Sequence, residues 1–221
     1  KDLTASMIPL MSAEQKAQAE ANAKQQAAQK AKAAAEAAKL AAEMNDPAVK
    51  EHYDVLSGIA GNVKQYWQAA EHTIKAHKLS ITPQEGAYIK AYVGSHYGPV
   101  NEQLRSGVVT MQQWKYAKAL DDALDKMPKY QGEVHRGISL TAQQFQKYQQ
   151  AVGKVIPEPG FQSAGVKQKL WGSHTFVIQS KSARDIRSFN PGEGGGEVVF
   201  KNNTAFIVTK VEGMKIHMEE V

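Results

Sequence analysis

The chain has no cysteine. Disulfides, thiolate metal sites and a cysteine nucleophile are therefore excluded. Aromatic residues make up only 8% of the 221 residues, but the 42% hydrophobic content suffices for a sizeable core. No apolar run approaches the roughly 18–20 residues that cross a bilayer as a helix. The short stretch Met7-Ile8-Pro9-Leu10-Met11 contains a proline and is too brief for the apolar segment of a signal peptide. Charge is not concentrated in one sign either, since 27 Lys and Arg stand against 22 Asp and Glu, for a net +5. That balance suits an anionic ligand or partner without the dense basic cluster of a nucleic-acid binder. Lys1 in place of an initiating methionine suggests a piece of something longer.

What is present falls into two compositions. From Ser12 to Met44 the chain is nearly all Ala, Gln, Lys and Glu, the strongest helix formers. Ser12 with Gln15 fits a capping box, and Asn45-Asp46-Pro47 supplies a stop and a new start. At 1.5 Å per residue such a helix reaches roughly 50 Å. Alanine fills the positions where a core residue would sit, so it reads as a solvated rod or linker, or as an Ala-type coiled-coil or docking helix. Residues 1–46 are thus expected to be an arm, and 47–221 a folded domain.

Residues 47–128 carry apolar residues at helical spacing, as in Tyr53, Leu56, Ile59, Val63, Tyr66, Trp67 and Ala70. Ser80 to Glu85 reads as a cap followed by a helix to about Gly94. Pro99 starts another helix to about Arg105, and Thr110 a third to about Lys126. His72, His77 and Lys78 close one helix, where positive charge suits the dipole, and read as surface residues. After Pro128 the period changes. Tyr130 to Ile138, Thr175 to Gln179, Glu197 to Phe200, Thr204 to Lys210 and a last segment "MKIHMEE" read as strands, Pro157 to Ala164 leads into a strand, and Thr141 to Val152 is a short helix. Helices first and strands afterwards argue α+β.

Three polar residues lie on or beside these strands. Arg136 sits in "GEVHRGISL", where a guanidinium that cannot shed its proton needs an anion. That anion is either a buried carboxylate or a ligand's phosphate or carboxylate. Ser163 in "GFQSAG" reads by itself as a strand or turn serine. Glu197 ends "PGEGGGEVVF", a glycine-rich stretch set directly against a strand. Four glycines there cost more backbone entropy than a plain turn requires, which suits a mobile loop.

The order Arg, Ser, Glu on successive strands after a helical first half resembles the R-S-E class of bacterial mono-ADP-ribosyltransferase toxins. Three further pieces carry the resemblance: "YVGSHYGPVNEQLRSG" with Tyr92, Tyr97, Asn101, Leu104 and Arg105; "ALDDALDKMPKYQGEVHRGISL"; and "FVIQSKSARDIRSFNPGEGGGEVVF". It covers about residues 50–221 and leaves out the arm, whose composition resembles a stalk joining a toxin domain to a delivery module. The resemblance implies a helical half packed on a two-sheet β core with an NAD+ cleft between them, and no metal. Arg136 would hold the NAD+ phosphates. Ser163 would orient the nicotinamide ribose and the acid. Glu197 would bond the ribose 2′-hydroxyl and stabilise the oxocarbenium-like ribose as nicotinamide leaves. One carboxylate is enough, because nicotinamide leaves neutral. Tyr92, Tyr97, Asn101, Gly137 and Trp171 would line the cleft, although Tyr97 reads equally as helix packing and Trp171 as buried. Phe189, Glu193 and Gly195 would belong to the mobile acceptor-recognition turn, with Phe189 either its exposed aromatic or a core anchor.

The chain departs from that family in two places. Two residues before the acid, where the family usually carries Glu or Gln, stands Gly195, and the usual Ser-Thr-Ser triplet reads Ser163-Ala164-Gly165. The expected function is transfer of ADP-ribose from NAD+ to a macromolecular acceptor, a protein side chain first and nucleic acid second. An NAD+ glycohydrolase and a non-catalytic interaction module are the alternatives. The resemblance also implies a protein secreted or injected into a target cell, with an immunity protein or delivery module as partner.

Overall fold

The computed structural model describes residues 13–167, 171–191 and 196–221. The chain divides into two compact units between Glu51 and His52. The first carries α1 (Ala13–Glu43), a 31-residue helix whose described side chains are exposed along nearly its whole length. Its Ala-rich composition needs no packed face to be helical, and Lys39 with Glu43 at 3.7 Å adds an i,i+4 pair near its end. The predicted capping box falls on Ser12, outside the described residues. Pro47 opens α2 (Pro47–Ser57), and the Asp46 carboxylate accepts from the Ala48 amide at 2.9 Å. The proline thus begins one helix where it forbids continuation of the other.

Side-chain caps set the following helices. Asn62 accepts from the Gln65 amide at the start of α3 (Val63–His77). Thr82 and Glu85 exchange bonds in a capping box before α4 (Pro83–Ala91), and Thr110 caps α6 (Met111–Asp125). Each such cap contributes about 0.5–2 kcal/mol. His72, His77 and Lys78 are exposed, as read from sequence. The helix expected to run from Pro83 to Gly94 ends at Ala91. A π-helical turn, Tyr92–His96, joins it to α5 (Tyr97–Ser106). The helices bury Leu56, Trp67, Tyr88, Ile89, Tyr116, Leu120 and Leu124.

The remaining elements are β1 (Lys129–Ile138), α7 (Ala142–Gln150), β2 (Val155–Glu158), β3 (Gln162–Gly165), β4 (His174–Asp185), β5 (Glu197–Phe200), β6 (Thr204–Glu212) and β7 (Lys215–Glu220). The stretch from Pro157 to Ala164 holds the end of β2 and most of β3, separated at Pro159-Gly160, where the Glu158 carboxylate accepts from the Gly160 amide at 3.0 Å. Strand order is β1-β3-β5-β4-β7-β6-β2, with β1 also paired to β4; β4–β7 pair in parallel and the other named strand pairs among the described residues are antiparallel. The two sheets expected are therefore continuous through β4, which pairs with β1, β5 and β7. β4 extends past Gln179 on β1 and β5, and where its register with β1 shifts the buried Glu220 carboxylate accepts from the amides of Lys181 (2.5 Å) and Ser182 (2.8 Å). Between the strands lies a core that includes Val134, Phe176, Ile178, Val198, Phe206 and Ile216.

Candidate active site

Strand register assembles the site. His135 of β1 pairs with Gly165 of β3, and Gly165 pairs with Glu197 of β5. Directly paired residues present their side chains to one face, so His135 and Glu197 face the same side across a residue without a side chain. Arg136, next along β1, pairs with Phe176 of the core. Its Nη1 donates to the Ser163 carbonyl oxygen at 2.7 Å, and burial pulls its pKa below the ordinary guanidinium value. A guanidinium carries five donors, so this bond leaves most of its capacity unused. The buried-carboxylate reading finds no ion pair with Arg136 among the described residues.

A cavity of about 360 Å³ opens here. Arg136, Ser163, Glu197, Tyr92, Tyr97, Asn101, Gly137 and Trp171 all line it, so the structure brings the expected residues together. The Tyr92 hydroxyl lies 3.2 Å from Ser163 Oγ, and Asn101 Nδ2 donates to that hydroxyl at 3.5 Å. Burial raises the Tyr92 pKa, which keeps its proton in place at neutral pH. Asn101 Oδ1 accepts from the Phe161 amide at 2.7 Å and so ties α5 to the start of β3.

The π turn explains how two tyrosines reach one cavity. Residues five apart on an α-helix lie about 140° apart around the axis. The extra residue in a π turn closes that angle, and the Tyr92 and Tyr97 rings meet edge to face at 6.3 Å. Tyr97 is 54% exposed, so beside its edge contact with Tyr92 much of the side chain faces solvent. Trp171 is 51% exposed and is not buried beneath its loop. A Cβ at Gly137 would collide with the Trp171 carbonyl oxygen, so the glycine admits that backbone across β1.

One expected role changes. Phe189, assigned to the acceptor turn, is 2% exposed and stands under the Lys90 ammonium at 5.7 Å, with Lys90 also donating to its carbonyl. It is the core anchor of that segment, because its ring packs close to Gly86 of α4. Glu193 and Gly195 lie outside the described residues. Among the cavity residues that sequence reading did not assign to the site are Asn190 and His135. Asn190 Nδ2 donates to Glu197 Oε2 at 2.6 Å and fixes the acid. Its only signal was its place between an aromatic and a proline ahead of the glycines.

A second cavity, about 390 Å³, shares Arg136 with the first. It is lined by Arg105, Gln144, Lys147, Tyr148, Glu158 and Gln162 among others. Here Arg105 and Glu158 form an ion pair: Glu158 accepts from Arg105 Nε at 2.7 Å, from the Gly160 amide and from Gln162 Nε2 at 2.7 Å. Among the described residues no group of three or more His, Asp or Glu could hold a metal ion, and no helix is long and apolar enough to cross a membrane.

A helical half on a strand core, with Arg, Ser and Glu converging on one cleft, defines a class of nucleotide-using transferases. The chain belongs to the ADP-ribosyltransferase exoenzyme family, whose family model matches residues 64–219. It is 30% identical over 141 residues to Mav of Mycobacterium avium (strain 104), which carries a provisional NAD(+)–arginine ADP-ribosyltransferase designation; the match covers 60% of this chain and 17% of Mav. It is 25% identical over 146 residues to Tre1 of Serratia proteamaculans (strain 568), named an NAD(+)–protein-arginine ADP-ribosyltransferase, with 65% of this chain and 32% of Tre1 covered. The chain thus spans under a third of either relative. Among solved structures, exoenzyme S of Pseudomonas aeruginosa, in complex with human 14-3-3 protein beta and bound to carba-NAD, has the same fold. Its TM-score is 0.61 at 18% identity, covering 78% of this chain and 88% of that one.

Proposed function

We propose that this chain is an NAD+-dependent mono-ADP-ribosyltransferase that releases nicotinamide and modifies a protein side chain, arginine first, in a target cell. The observation that carries the reading is the place of Arg136 at the junction of two cavities. NAD+ is two nucleosides joined by a diphosphate, and a half-buried guanidinium between two pockets suits that diphosphate. In this reading the nicotinamide ribose enters the cavity that holds Ser163 and Glu197, and the adenosine extends toward Arg105 and Tyr148. The Tyr92–Ser163 pair orients the ribose. Glu197, fixed by Asn190, bonds the ribose 2′-hydroxyl and stabilises positive charge at C1′ as the glycosidic bond breaks. Arginine is favoured as the acceptor by the designations of Mav and Tre1, and action outside the producing cell by the exoenzyme family. Residues 47–221 form the catalytic domain and 1–46 an arm that links it to a delivery module.

The test is nicotinamide release from NAD+ by the purified chain, wild type beside Glu197→Ala, with and without cell lysate. The wild type is expected to release nicotinamide faster with lysate and to label a protein. The variant is expected to lose about 10²–10³-fold in rate with its circular dichroism unchanged. Equal release without lysate would point to a glycohydrolase. No release under any condition would leave an interaction module.

A further inference from the structure

We propose that His135, held by Glu133, takes the proton from the acceptor's guanidinium nitrogen during transfer. The inference rests on the function proposed above and assigns that site its acceptor-side base.

The observation is a dyad at the cavity. His135 Nε2 stands 3.1 Å from Glu133 Oε1, two residues back on the same face of β1. Glu133 is itself held by Gln179 Nε2, which donates to its other oxygen at 3.1 Å. An imidazole that gives its Nε2 proton to a carboxylate carries its lone pair on Nδ1. Nδ1 is buried and has no hydrogen-bond partner among the described residues. A buried nitrogen without a partner calls for an explanation, and a donor on an incoming substrate supplies one. The same division of labour, a carboxylate fixing one ring nitrogen so that the other accepts a proton, serves hydrolytic triads.

The register places the dyad. Along one row of the sheet stand Glu197, Gly165, His135, Val177 and His217. Glu197 and His135 are two strand spacings apart, roughly 10 Å between Cα atoms, with Gly165, which has no side chain, between them. Glu133 and Glu197 are the acids facing His135, and His217 lies beyond Val177 on β7. Both Glu197 and His135 line the cavity. A ribose C1′ beside Glu197 would have the acceptor nitrogen on its His135 side.

The chemistry requires a base there. The C1′–nitrogen bond breaks and its electron pair returns to the nicotinamide ring, which leaves neutral. The acceptor nitrogen's lone pair forms the new C1′–N bond. A guanidinium keeps its proton at any ordinary pH, so the attacking nitrogen must lose one as the bond forms. His135 Nδ1 receives it, Glu133 balances the imidazolium, and the proton then passes to solvent. No oxidant or reductant enters.

The experiment uses the whole chain with NAD+ and agmatine, whose guanidinium stands in for arginine's. The ratio of agmatine transfer to NAD+ hydrolysis is measured for the wild type, His135→Ala and Glu133→Gln. General-base catalysis contributes about 10²–10⁴-fold, so the ratio is expected to fall at least about tenfold in His135→Ala. Added imidazole should restore part of it, and Glu133→Gln should lose less. A ratio within about twofold of wild type would overturn the assignment while leaving the transferase reading in place. A loss that imidazole leaves untouched and that follows NAD+ affinity would overturn it too, as a structural effect. A wild type that releases no nicotinamide at all would remove the transferase reading and this assignment together.

Discussion

The two cavities that meet at Arg136 differ less in size than in how their charges are used. In the second, Arg105 and Glu158 satisfy each other, and Glu158 also accepts from the Gly160 amide and Gln162. In the first, Arg136 donates to a carbonyl and Glu197 accepts from one amide side chain. Charges consumed by one another hold a wall together. Charges anchored by neutral groups keep their field for an incoming ion. The floors differ as well. At the first the Trp171 backbone crosses β1 over Gly137, whereas the second is walled on one side by Tyr148, Ile156 and Leu140.

The sharpest test of that contrast is Arg136→Lys. It keeps the charge and loses the bidentate fork, so the NAD+ dissociation constant should rise at least about tenfold by calorimetry. An unchanged constant would mean that Arg136 serves only the Ser163 carbonyl, and the two cavities would then be alike. Glu158→Ala probes the other side. It strips Arg105, Gly160 and Gln162 of an acceptor, and urea titration should show a loss of about 1–3 kcal/mol in stability. NAD+ affinity should move less than in Arg136→Lys; a larger loss would make the second cavity the dominant binding half. The smallest effect is expected from deleting residues 1–44, upstream of the division between the units. Turnover should stay within about twofold, and a clear loss would make the arm part of the catalytic domain.

Local chemistry made the helix starts legible, since Thr82, Thr110 and Thr141 cap where the sequence places caps. It also made Arg136, Ser163 and Glu197 legible, because a charged or polar residue against a strand is an exception that asks for a partner. What escaped was set at a distance. Past Gln179, β4 pairs with β1 and β5 and its Lys181 and Ser182 amides donate to Glu220, some 40 positions on. His135 stood beside Arg136 in plain view. Its position opposite Glu197 follows from the pairing of three strands, and register is a non-local property. The π turn left no mark either, because apolar periodicity near Tyr92 cannot count one extra residue.

That extra residue bears on how this protein can change. Excising Gly94 would return the turn to ordinary i→i−4 bonding and make a better helix. It would also swing Tyr97, Asn101 and Arg105 through about 100° relative to Tyr92. The ring pair would part, and Asn101 would lose its hold on the Phe161 amide. A gain in local regularity would thus dismantle the cleft. The irregular turn is a point where stability and function pull against each other, and a sequence drifting toward greater stability alone would lose it.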